Sequence, residues 1–170
     1  SDLGGLPILG STRLPDAALR EAAWVVRSMT RGRPALLGPI AEARVRLVVM
    51  NHDEFTSDVP EHRDVGPPAF WDRRARGLGA TRARPALSCG VENLLGYDGD
   101  PYAGESILVH ELAHAVHEFA LAALDPTFDR RLAAAYDAAM VEDLWRGTYA
   151  STNAHEYFAE GVQAYFDTNR

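Results

Sequence analysis

Residues 107–121 read ILVHELAHAVHEFAL, and His110-Glu111-Leu112-Ala113-His114 inside that stretch decides how the rest of the chain is read. Ile107, Leu108, Val109, Leu112, Val116, Phe119 and Leu121 supply the apolar spacing of a buried helix. On a helix, two histidines at i and i+4 share one face, one turn apart, so both imidazoles reach one tetrahedral cation. Glu111 stands beside the first histidine and can lean over a metal-bound water. Zinc lowers the pKa of such a water to about 7, and a nearby carboxylate then takes its proton. The alternative is a helix with two exposed histidines and a surface glutamate.

A zinc hydrolase site needs a third protein ligand. His117 follows His110 by seven residues, roughly 10 Å along a helix, so it cannot share a small ion with the other two. It reads as a surface residue or one that supports a ligand from behind. A metzincin would carry glycine at 117 and histidine at 120, and His117 and Ala120 exclude that class. The better candidate is Asn153-Ala154-His155-Glu156-Tyr157-Phe158-Ala159-Glu160. Glu156 and Glu160, at i and i+4, face the same way. One can ligate zinc while the other holds a ligand histidine by its second nitrogen. Asn153 with Glu156 also fits a capping-box helix start, and Glu160 also fits a helix surface. Spacing alone leaves both open. His155 points about 100° away from Glu156 and is read as peripheral.

Outward from the motif, the chain divides in two. Pro15 to Thr30 predicts an amphipathic helix ended by Gly32 and Pro34, and Arg44 to Met50 predicts a strand. Asn51 to Pro85 is irregular, with a short helix around Phe70 to Arg76. Ala86 to Leu95 reads as one or two short strands. Helices are expected over Tyr102 to Leu124, Thr127 to Leu144 and Asn153 to Phe166, with Phe128, Leu132, Ala135, Tyr136 and Met140 on one face of the second. The expected fold is α+β: one domain over 1–170, mixed α/β over 1–100 and helical over 101–170, where the zinc site lies.

The chain has 170 residues and a formal charge of −7. Its mean hydropathy is −0.20. These values suit an ordinary globular protein and argue against nucleic acid as a partner. The charge is uneven: 13 Arg stand against 10 acids over 1–84, and 4 Arg against 14 acids over 85–170. No apolar run is read as a membrane span, and Ser1 to Gly10 lacks the basic and apolar regions of a signal peptide. The single cysteine, Cys89, excludes an internal disulfide and any multi-cysteine metal site.

His110 to His114 followed some forty residues later by a helical glutamate resembles the gluzincin zinc peptidases. The likeness is closer to the lethal-factor-like group, which holds the anthrax lethal factor catalytic domain and the bacterial Pro-Pro endopeptidases. Those show a tyrosine seven residues before the glutamate ligand, in an EFFAE-like segment. Here Tyr149 precedes Glu156 by seven, and Glu156 to Glu160 reads EYFAE. The likeness covers about Glu105 to Phe166. It implies a zincin-like fold, with a small twisted sheet before the zinc helix. It implies Zn2+ held by His110, His114 and Glu156, with Glu111 as general base and later proton donor. Tyr149 would donate a hydrogen bond to the oxyanion, and Glu160 would orient a zinc-bound histidine. The implied substrate is a peptide or protein, cleaved as by an endopeptidase, and the implied location is secreted. An edge strand lining the cleft would pair with an extended peptide and would fall within Leu87 to Leu95. The loop carrying Arg73, Arg74, Arg76, Arg82 and Arg84 shapes one cleft wall or is a solvated surface.

Two other readings stand beside this one. A deformylase-like hydrolase would use Cys89 as a thiolate ligand, although the spacing and flanks differ and a buried inert cysteine fits better. A zincin fold kept as a non-catalytic binding module would need neither Glu111 nor Tyr149, and both are present.

Overall fold

The structure, a computed structural model, describes residues 2–169. The fold is α+β, with a small mixed sheet and a helical second half. The strands are β1 (Asp2–Leu3), β2 (Leu6–Gly10), β3 (Arg46–Met50), β4 (Gly77–Leu78) and β5 (Ala86–Gly90). Their order across the sheet is β1-β2-β3-β5-β4. β2, β3 and β5 run parallel, while β1 and β4 are antiparallel outer strands. The helices are α1 (Asp16–Thr30), α2 (Leu37–Glu42), α3 (Pro68–Arg74), α4 (Val91–Leu95), α5 (Ile107–Ala115), α6 (Ala122–Leu124), α7 (Phe128–Val141) and α8 (Ala154–Tyr165). A π-helical segment, Val116–Leu121, joins α5 to α6.

Strand alternation builds two unequal cores. Leu47 and Val49 of β3 and Leu87 and Cys89 of β5 join the main core, with Ala22 and Val26 of α1 and Leu108 and Leu112 of α5. The opposite face puts Met50 and Ala86 against Val59 in a smaller cluster. Leu108 and Leu112 have almost no exposed surface, and burying each contributes about 1.5–3 kcal/mol. This anchoring makes α5 a rigid support for whatever its outer face carries.

Several expectations need correction. The first strands, β1 and β2, precede α1 and had no clear signal. β5 stops at Gly90, and Val91–Leu95 is helix α4 rather than strand. The cleft-lining edge strand is therefore not within Leu87 to Leu95: β5 lies inside the sheet, and the outer strand is β4, from the region read as irregular. The helix that carries His110 and His114 starts at Ile107, not Tyr102. Asn93 is the reason: its Nδ2 donates to Asp100 Oδ2 at 2.8 Å and to Glu105 O at 2.8 Å, and its Oδ1 accepts from Ile107 N at 2.8 Å. These bonds hold the preceding residues in turns. On α7, Ala139 rather than Ala135 is buried.

By length and composition, Ile107–Leu124 is long and apolar enough to cross a membrane, contrary to the reading of the sequence. In this fold 61% of that stretch is buried within the protein, as expected of a core helix.

The arginine-rich region is stitched down rather than loose. Arg76 forms an ion pair with Glu92 and donates to Glu54 O at 2.6 Å, and both partners of the pair are largely buried. Arg84 pairs with Asp64 at 2.7 Å, and Ser57 N donates to Asp72 Oδ1 at 2.9 Å. These contacts tie α3 to the Thr56–Asp58 turn and the chain entering β4 to α4, and β4 packs against α5.

Candidate metal centre

Ser106 is the N-cap of α5, its hydroxyl accepting from Val109 N at 3.4 Å. From that start His110 and His114 emerge on one face, with ring centroids 4.8 Å apart. α8 packs against this face. Asn153 caps α8, its Oδ1 accepting from His155 N at 2.9 Å and Glu156 N at 3.0 Å. The cap and the carboxylate are thus separate devices. Asn153 satisfies the helix start, and the Glu156 side chain turns to the histidines.

Glu156 Oε2 lies 3.0 Å from His110 Nε2 and 3.2 Å from His114 Nε2. The two Nε2 atoms are 3.1 Å apart. Two nitrogens and one oxygen thus converge within a span that one ion can bridge. Ligands at about 2.0–2.1 Å from a tetrahedral zinc are separated by about 3.3–3.4 Å, close to the spacing here. The donor set of two imidazoles and one carboxylate fits such an ion.

The electrostatics fit the same geometry. Burial disfavours a charged His110, but hydrogen bonds to Glu156 and Glu160 outweigh it and push its pKa up to about 10. Burial raises Glu156, but the bonds to His110 and His114 prevail and take it down to about 2. These directions make the cluster a place where a cation would be favoured, and a metal bound there would displace a proton.

Glu111 stands beside this cluster, its pKa raised by burial against the pull of His110 and His114. The chain after β4 passes close by: a Cβ on Gly79 would sit 3.2 Å from Glu111 Oε2 and 3.2 Å from His114 Cβ. Tyr149, on the 3-10 turn Tyr149–Ser151, has its ring centroid 6.0 Å from that of His110. It is 56% exposed, so the phenol faces open space beside the cluster. Burial, then Glu156 and Glu111, raise its pKa, which keeps the hydroxyl protonated at neutral pH.

His110 Nδ1 has two acceptors nearby. Glu160 Oε1 is 3.5 Å away, and Gln163 Oε1 is closer, at 2.8 Å. Gln163 had no place in the reading of the sequence. The available signal was its spacing: Glu156, Glu160 and Gln163 fall at i, i+4 and i+7 on one helical face. β4 was missed as well, because a two-residue strand carries no periodicity.

The structure brings His110, Glu111, His114, Tyr149, Glu156 and Glu160 to one place and leaves others outside it. His117 is not a surface residue. It is buried, with Nε2 2.9 Å from Asp129 Oδ1 and its ring packed on Phe128, His155 and Phe158. His155 is exposed and outside the cluster. Cys89 is buried in β5, and burial followed by Glu92 and Glu111 pushes its thiol up to about 12. Among the described residues it is not part of the metal-binding cluster.

The fold is similar to that of a Pro-Pro endopeptidase. That neighbour, the structure of PPEP-2 from Paenibacillus alvei, matches with a TM-score of 0.55 at 17% sequence identity, over 90% of this chain and 80% of that one. At this identity the likeness shows the fold alone. No protein-family model and no curated protein matches the chain.

Proposed function

We propose that this protein is a zinc-dependent peptidase of the gluzincin pattern, hydrolysing internal peptide bonds. The observation that carries the reading is the convergence of His110 Nε2, His114 Nε2 and Glu156 Oε2, with Glu111 and Tyr149 beside them. His110, His114 and Glu156 are the ligands of the ion. Zinc bound there supplies Lewis acidity, polarising the scissile carbonyl and making water nucleophilic near neutral pH.

The remaining work falls to side chains. Glu111 accepts the proton of the attacking water and returns it to the leaving amine. Tyr149 O–H donates to the carbonyl oxygen as negative charge builds there. Glu160 lies behind His110 as a further negative charge, its Oε1 3.5 Å from Nδ1. β4, the outer strand next to Glu111, offers its free edge to an extended peptide, which adds as a further strand. A peptide substrate is thus held by main-chain bonds across the cleft while Glu111 acts on one carbonyl.

The test measures zinc content and cleavage of a mixed peptide library by the parent and by Glu111→Gln. One zinc in both proteins, with cleavage about 10²–10⁴-fold slower in the variant, is the expected result. Equal cleavage by the two removes Glu111 from the mechanism. No zinc in the parent after reconstitution removes the reading itself.

A further inference from the structure

The group that holds His110 from behind is an amide. Gln163 has no exposed surface. Its Nε2 donates to Ser106 O at 3.1 Å, and its Oε1 is 2.8 Å from His110 Nδ1. Ser106 O is a carbonyl that also accepts from His110 N at 3.2 Å, so it can face only the NH2 side of the amide. That leaves Oε1, an acceptor only, against Nδ1.

We propose that Gln163 is a positioning residue that fixes His110 in its Nδ1–H form, so that the Nε2 lone pair points to where His114 Nε2 and Glu156 Oε2 converge. The inference rests on the metal-centre reading above and adds a residue to it. Glu160 is the weaker acceptor on two counts. Its Oε1 lies 3.5 Å from Nδ1, beyond ordinary N–H···O length, and its Oε2 accepts from Asn169 Nδ2 at 2.9 Å. An amide also holds the proton without adding a charge, in a site already bearing Glu111, Glu156 and Glu160.

Gln163 is itself locked. Ser106 N donates to Thr168 O at 2.9 Å, Thr168 N donates to Gln163 O at 2.9 Å, and Gln163 Nε2 closes the ring on Ser106 O. This ring ties the N-cap of α5 to the last turn of α8. The amide therefore carries the placement of both ligand helices to one imidazole.

The experiment compares the parent, Gln163→Met, Gln163→Glu and Glu160→Met. Zinc affinity is read by competition with a chromogenic chelator. The Nδ1–H proton resonance of His110 in the zinc-loaded protein is the second readout. Gln163→Met should weaken zinc binding by about 10–100-fold and lose the slowly exchanging resonance. Gln163→Glu, which keeps an acceptor oxygen, should recover most of both, and Glu160→Met, which removes the other acceptor, should resemble the parent. Unchanged affinity and resonance in Gln163→Met overturn the inference while the metal centre stands, and so does a loss carried by Glu160→Met instead. A parent that takes no zinc defeats the metal-centre reading and this inference with it. If Gln163→Met does not fold, Glu160→Met, which removes that acceptor, decides alone: a retained resonance supports Gln163, and a lost one assigns the role to Glu160.

Discussion

One helical run carries three histidines, and they have two different fates. His110 and His114 meet Glu156 across the α5–α8 contact, while His117, one turn further on, sits among Phe128, His155 and Phe158 and bonds to Asp129. All three fall at i, i+4 and i+7, so helical spacing gives them nearly the same face. What differs is the element each one meets. The cap of α8 delivers a carboxylate to the first two, and the start of α7 delivers a rim aspartate and an aromatic ring to the third. A histidine becomes a ligand when other lone pairs converge on the point that it faces, and His117 has no such company within the cluster.

The sharpest way to break this comparison is to remove one histidine from each region. His114→Ala should lose zinc under conditions where the parent retains it. His117→Ala should keep zinc and instead lose stability, by about 1–3 kcal/mol, through the emptied space between α7 and α8. Zinc content by metal analysis and denaturant melts read the two effects separately. Zinc loss in His117→Ala with an intact fold would erase the distinction.

A smaller effect should come from the strand side of the cluster. Gly79→Ala places a methyl 3.2 Å from Glu111 Oε2 and from His114 Cβ, so Glu111 must shift by a few tenths of an ångström. Peptide hydrolysis should fall by about tenfold, given how steeply proton transfer depends on placement. Zinc affinity should change less than activity, because the carboxylate that moves is not a ligand. Steady-state kinetics beside chelator competition would show whether the two readouts separate.

The smallest expected effect lies in the second core, away from the cluster. His62 is buried near Ala86, its Nε2 3.1 Å from Ala86 O. Burial lowers its pKa, opposed by the Ala86 bond, so the folded state favours the neutral ring. The unfolded chain then binds more protons below about pH 6.5, and stability should fall as pH drops through that value. Thermal melts from pH 8 to pH 5 should show this slope, and His62→Gln should flatten it. An unchanged slope would mean that other groups set it.

Much of this was legible in the residues. The α+β order, α1, β3 and the three late helices follow from periodicity and from Gly and Pro placement. The candidate cluster was legible because HExxH is local: its residues are neighbours on one helix whatever the rest of the chain does. Glu156 was less so, since the same asparagine–glutamate spacing serves a helix cap, and Asn153 does perform that task. β1, β2 and β4 were out of reach because short strands exist only through the partners they pair with.

By itself, the sequence determined which side chains could act together within a turn of helix: two imidazoles, a carboxylate between them, and a second pair of carboxylates on one later face. Those relations are set by bond geometry and the helical repeat. The tertiary structure alone decided what His117 packs against, which acceptor stands behind His110, and which strand forms the outer edge beside Glu111. These depend on how α8 crosses α5 and where the 51–85 region is pinned. Burial of Leu108, Leu112 and their partners, with the hydrogen bonds of Asn93, Ser106, Gln163 and Arg76, settles both.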